Sequence, residues 1–200
     1  MRKPIKVTVD DYLPVGANGS PYNAYKSANG AWWNAILEKA YSKFNVNYGQ
    51  LDGGNQEASL VTLTGKPVHT YDVRKQTDDE FFKLVNEADK KNWVMVSATS
   101  VEYNGLPKGH AYSMLGAVQL TGGPMLIKMR NPHAMEYYTG PWNDNDPQWT
   151  EAWKKEAGMV VADDGIFHIA PHEYRKVFTD YWSVAKYQDY WEDEFDITKA

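Results

Sequence analysis

The period of the hydrophobic pattern changes once along this chain, close to residue 92, and that change restricts the folds open to it. Before it, Trp32, Ile36, Leu37, Ala40, Tyr41 and Phe44 recur at three- and four-residue steps. The spacing predicts an amphipathic helix over 31–44, with Ser27 or Asn29 available as N-cap. Thr77 followed by Asp78-Asp79-Glu80 is a capping-box pattern, and Phe81, Leu84, Val85 and Ala88 continue it as a helix over 78–91. Beyond it the runs are extended: 93–96, 111–120, 125–130, 166–169 and 181–187, with Thr121-Gly122-Gly123-Pro124 as a hairpin turn and a short helix over 171–178 begun by Pro171. Helices first and antiparallel strands afterwards make an α+β domain rather than alternating βαβ units. The expectation is an antiparallel, partly closed, barrel-like sheet with flanking helices. Alternation of Ile5, Val7 and Val9 predicts one more strand over 5–9. Residues 49–65 read as loop, with a helical turn or a short strand over 58–63. No repeat or long linker divides the chain, so a single domain is expected over 1–188, followed by an acidic, aromatic tail over 189–200.

A 200-residue chain must stabilise this arrangement without covalent staples, because it contains no cysteine. Disulfides, thiolate metal sites and a cysteine nucleophile are all excluded within it. Eight Trp, fourteen Tyr and six Phe supply the apolar area instead. With 21 Lys and Arg against 26 Asp and Glu the net charge is -5, which argues against a phosphate-tracking surface and so against nucleic acid. No apolar run is long enough to span a membrane, and the basic amino terminus has no apolar signal core behind it, so an intracellular, soluble chain is expected.

Five histidines, His69, His110, His133, His168 and His172, are the first candidates for chemistry. His168 and His172 are four apart, but Pro171 between them prevents a shared helical face for a metal. His110 differs: Gly109 precedes it, and it opens a predicted strand. Arg130-Asn131-Pro132 ends the next strand, so His110 and Asn131 are expected at the same end of one hairpin. An amide at the distal imidazole nitrogen fixes tautomer and ring plane, the orienting role in a Cys-His-Asn protease; on spacing alone the pair reads as structural.

Several passages, taken together and in order, resemble the calpain family of cysteine proteases. They are Val9-Asp10-Asp11-Tyr12-Leu13-Pro14, Trp32-Trp33-Asn34-Ala35-Ile36-Leu37, Gly53-Gly54 with Thr64-Gly65, Gly109-His110-Ala111-Tyr112-Ser113, Arg130-Asn131-Pro132 and Thr139-Gly140-Pro141-Trp142-Asn143-Asp144. Asp163-Asp164-Gly165-Ile166-Phe167-His168-Ile169 and the Phe178 region look like a later stretch of the same family. The resemblance covers roughly residues 5 to 187 and only the second half of the protease core. It implies that His110 is the general base and Asn131 its orienter, while the nucleophilic cysteine belongs to a preceding subdomain that these residues do not include.

Departures from the family pattern concern the surroundings of that pair. The family has Trp-Gly after the Asn-Pro; here His133 and Ala134 occupy those positions. Of the family's calcium-binding carboxylates Asp144 and Asp164 are present, but Tyr137 and Ile166 stand where two further acids are expected. Calcium takes six to eight oxygens, so the site is expected to be degenerate and no cofactor is expected. Two functions are consistent with this. One is a catalytically inactive calpain-like domain serving as a binding or architectural module among other protein chains in a larger intracellular assembly, such as the cytoskeleton. The other is half of a split thiol protease, with His110 and Asn131 acting on a cysteine of another chain; a fragment cut from a longer protease is a third origin. The tail around Tyr190, Trp191 and Phe195 is read as an anchor for a partner's groove or as a solvated terminus.

Overall fold

A computed structural model describes residues 5–21, 24 and 30–186. By its contacts the chain divides into two compact units, Met1–Asn55 and Gln56–Ala200. The first holds helix α1 (Trp33–Phe44) and a 3-10 turn, Tyr48–Leu51. The strand expected over 5–9 is not formed. Backbone carbonyls of this stretch receive lysine side chains from α1 instead of strand partners: Lys43 Nζ donates to Thr8 O at 2.6 Å, and Lys39 Nζ donates to Tyr12 O and pairs with Asp10. Alternation alone cannot hold a strand that has no ladder to join. The proposed caps Ser27 and Asn29 lie outside the described residues, as does the tail beyond residue 186.

The second unit runs α2 (Gln56–Thr64), β1 (Val68–Asp72), α3 (Asp78–Lys90), β2 (Val94–Ala98), β3 (Ala111–Gln119), β4 (Met125–Arg130), α4 (Glu151–Ala157), β5 (Ile166–Ile169), α5 (Pro171–Val177) and β6 (Tyr181–Ala185). All six strands pair antiparallel in the order β1-β6-β2-β3-β4-β5. The sheet is open: β1 and β5 are its edges, and no ladder joins them. Helices α3 and α5 pack together over β2, β3 and β4, filling the face that an opposing wall would occupy in a closed barrel.

Local chemistry explains the elements. Thr77 Oγ1 accepts from Glu80 N at 3.2 Å while Glu80 Oε2 accepts from Thr77 N at 2.8 Å, so the capping box starts α3 as expected. Its inward residues Phe81, Val85 and Ala88 are buried against Met95, Met114 and Ile127 from the sheet. Phe81 stacks on Tyr174 at 4.5 Å, Tyr174 on Phe178 at 4.4 Å, and Trp182 meets Phe81 edge-on at 5.9 Å. Such pairs contribute about 0.5–1.5 kcal/mol each beyond their burial. The buried Tyr174 hydroxyl is satisfied by Ser97 Oγ at 2.6 Å. Between Met114 and Gly116 the β3–β4 register shifts by a bulge. Ala117 N there donates to Asp89 Oδ2, whose oxygen would lie only 2.4 Å from a Cβ at residue 116; the close approach requires glycine.

Edge strand β1 and helix α4 are two elements that hydrophobic period does not announce. Val68–Asp72 is largely polar because half of it faces water, and its place is fixed by its pairing with β6. Helix α4 presents Trp153 to a second cluster made of Leu120, Leu126, Trp142, Trp149, Met159 and Ala170. Among the described residues no helix is long and apolar enough to cross a membrane.

His168 on β5 is 1% exposed, touches Trp149 edge-on at 5.4 Å, and its ring nitrogens lack a hydrogen-bond partner among the described residues. Burial, reinforced by the positive charge of Lys128, depresses it to about 4. A folded-state value below the ordinary 6.5 means that its contribution is intact above pH 6.5 and is lost as pH falls from there towards 4. That depression corresponds to about 3 kcal/mol. Urea unfolding at a series of pH values is expected to show this loss in the wild type and a flatter profile in His168→Phe; parallel profiles would refute the assignment.

Candidate active site

One end of the sheet gathers the residues singled out in the sequence. Antiparallel pairing of Ser113 with Arg130 on β3 and β4 brings the start of one strand beside the end of the other, and with it His110 beside Asn131. Thr99, itself 3% exposed, fixes the approach to His110: its Oγ1 accepts from His110 N at 2.9 Å, and its own N donates to His110 O at 2.9 Å. Asn131 N donates to Gly165 O at 2.8 Å, so the turn before β5 holds the other partner. Gly165 has φ +80, and a Cβ there would meet Asn131 O at 2.9 Å and Ala134 Cα at 3.0 Å.

His110 Nε2 and Asn131 Oδ1 are 2.8 Å apart, and Asn131 is 1% exposed. The remaining bonds of the amide settle which group donates. Asn131 Nδ2 donates to Met135 O at 2.7 Å, and Oδ1 accepts from His133 N at 3.1 Å. Oδ1 is therefore the acceptor facing the ring, so Nε2 carries the hydrogen, and in the neutral ring the lone pair is on Nδ1. Two rings confine the imidazole: Tyr112 edge-on at 4.8 Å and His133 tilted at 4.5 Å. His133 thus covers the pair with an imidazole, which is polar, exposed and ionisable where an indole would be apolar.

The two carboxylates proposed from the sequence lie close enough that Asp144, raised by burial, is raised further by the charge of Asp164. Asp144 is buried and its Oδ2 accepts from Ala162 N at 3.1 Å; Asp164 Oδ1 accepts from Ile166 N at 2.8 Å. Glu136, not singled out from the sequence because the expected acid is one residue later at Tyr137, accepts from Asp144 N at 3.4 Å. Its own N donates to Asp163 Oδ1 at 2.7 Å. Burial, then the facing Asp144 carboxylate, raises Glu136; burial likewise raises Asp144. The pair therefore favours holding a shared proton over carrying two charges. Among the described residues no group of three or more His, Cys, Asp or Glu side chains is arranged to hold a metal ion.

His69 and His172 are exposed and His168 is buried behind Trp149, so none of the three joins His110. The arrangement that remains is an imidazole with an outward lone pair, a fixed tautomer and a buried amide behind it. An imidazole held this way can take up a proton at Nδ1, and the sequence contains no cysteine to supply one.

The sequence model of the calpain family of cysteine proteases matches residues 2–184. The calpain-1 catalytic subunit of Macaca fascicularis is 30% identical over 188 residues, which is 88% of this chain and 26% of that protein. Its Homo sapiens counterpart is 29% identical over the same span, and the calpain-type cysteine protease DEK1 of Zea mays is 33% identical over 185 residues, 86% of this chain and 8% of that protein. The chain spans about a quarter of the length of the calpain-1 subunits it matches. With nearly all of its residues matched by the family model, the chain belongs to the calpain family of cysteine proteases.

Proposed function

We propose that this chain supplies the general-base half of a calpain-type thiol protease site, contributing His110 and Asn131 to a cysteine carried outside these residues. The observation that carries the reading is the 2.8 Å His110–Asn131 bond with its tautomer fixed by the buried amide. A thiol brought to His110 Nδ1 gives its proton to that nitrogen, and the thiolate attacks the peptide carbonyl. Asn131 Oδ1 holds the Nε2–H as the ring becomes an imidazolium. When the tetrahedral intermediate collapses, the same Nδ1 proton passes to the leaving amine. In the second step Nδ1 takes a proton from water, which cleaves the thioester. Calcium has no part in this proposal.

A second reading, a calpain-like domain used as a binding or architectural module in an intracellular assembly such as the cytoskeleton, is supported by a different observation. On helix α1 the apolar side chains Trp33, Leu37 and Phe44 are exposed, with Trp32 beside them. Apolar groups so clustered suit a protein contact.

Mixing the chain with a calpain-type subdomain that bears the nucleophile, and following labelling of its cysteine by a thiol-protease probe, separates the two. Wild type is expected to accelerate labelling, and His110→Ala to lower that acceleration by about 10²–10⁴-fold. Asn131→Ala is expected to lower it less, because the base remains but is no longer aligned. Labelling indifferent to His110 would overturn the protease reading and leave the module. Gly165→Ala is expected to cost about 1–3 kcal/mol and to weaken the acceleration, since the new methyl group presses on the turn holding Asn131; a variant equal to wild type in both would show that this turn does not position the amide. The thermal midpoint in calcium is expected to equal that in chelator, and a clear rise would show a competent cation site.

A further inference from the structure

Two imidazoles meet at the end of the β3–β4 ladder. The rings of His110 and His133 stand 4.5 Å apart, centre to centre, and are tilted by 42°. One amide holds both residues. Asn131 Oδ1 takes the His110 Nε2 hydrogen at 2.8 Å and the His133 backbone N–H at 3.1 Å. That amide is 1% exposed and anchored through Nδ2 on Met135 O at 2.7 Å. His110 Nδ1 keeps its lone pair, and neither it nor a His133 ring nitrogen has a hydrogen-bond partner among the described residues. His133 is exposed and His110 half-buried, so the pair is open to a small ligand from solvent. An indole, the family's residue at position 133, has only an N–H donor and offers no second lone pair here.

We propose that His110 and His133 form a two-imidazole chelate for a tetragonal divalent ion of the copper(II) or nickel(II) class. Imidazole nitrogen suits such ions, whereas calcium and magnesium take oxygen. An ion about 2.0–2.1 Å from one nitrogen of each ring lies about 3.2 Å from each ring centre. Centres 4.5 Å apart then subtend about 90° at the ion, the angle between neighbouring positions of a tetragonal ion, whereas a tetrahedral one needs about 5.2 Å. Asn131 does for His110 what an outer-shell partner does for a metal-bound imidazole: it takes the hydrogen of one nitrogen, fixes the ring plane and leaves the other nitrogen bare. Two protein nitrogens leave the remaining positions to water, in keeping with the lack of a third ligating side chain among the described residues. The chelate does not depend on the protease reading. Where that reading holds, an ion on Nδ1 competes with the thiol proton for the same lone pair.

Copper(II) chloride added to the full chain in a non-coordinating buffer tests the site. At substoichiometric copper the amide signals of His110, Ala111, His133 and Ala134 are expected to broaden before those around His69 and His172, to the same degree at every protein concentration. Frozen-solution electron paramagnetic resonance is expected to show one ion per chain coupled to two imidazole nitrogens. His133→Phe keeps a ring over His110 and removes the ligand. It is expected to weaken binding at least as much as loss of an outer-shell partner does, about 10–100-fold, and to leave one coupled nitrogen. His69→Ala and His172→Ala are expected to bind as the wild type does. Affinity unchanged in His133→Phe, or broadening centred on the amino terminus, His69 or His172, would overturn the proposal. Broadening that grows with protein concentration would overturn the intrachain chelate in favour of an ion bridging two copies, and equal shifts with calcium chloride would overturn the imidazole ligands.

Discussion

The antiparallel ladder between β3 and β4 is the constraint on which the rest of the second unit depends. Pairing Ser113 with Arg130 sets Tyr112, Met114 and Met129 on the face that α3 and α5 cover, and it sets His110 beside Asn131 at the strand ends. A slip of one residue would turn the buried methionines and Tyr112 towards water and separate imidazole from amide in the same movement. The bulge before Gly116 shifts the register by one residue, beside the place where Ala117 N donates to Asp89 of α3. Core and candidate site are therefore specified by one set of hydrogen bonds, and the helices that fill the core also lock the geometry of the base.

Much of this was legible in the sequence because it is periodic. The change from helical to extended spacing gave α1, α3 and five of the strands to within a few residues, and the Thr77–Glu80 box gave the start of α3. The proximity of His110 and Asn131 followed from a hairpin turn and two strand ends. What escaped depends on partners distant in sequence. β1 is a strand because β6 accepts it, whereas Ile5 to Val9 has a better alternating pattern and is none, its Thr8 carbonyl taken by Lys43 of α1. Glu136 escaped by one position: it is the burial of Asp144 and the turn of the loop that bring these two carboxyls face to face, and neither is written in local spacing.

The same distinction separates the two polar clusters near the sheet end. In the His110 cluster Asn131 Nδ2 donates to Met135 O and Oδ1 accepts from His133 N, so the oxygen faces the ring as an acceptor. In the Glu136 cluster two acids face each other at raised proton affinity, with their nearest donors in the backbone. The first holds the imidazole in one tautomer; the second favours a shared proton over two charges. Tyr137 and Ile166 bring no charge to the second cluster, while His110 and Asn131 stand within hydrogen-bond reach in the first.

A buried amide with its oxygen aimed at an imidazole satisfies three donors and acceptors in one place, and replacing both partners by apolar groups could satisfy the fold as well. The tautomer matters only to a partner arriving at Nδ1. On the proposed reading, the thiol that completes the chemistry comes from outside these residues and meets the Nδ1 lone pair of His110.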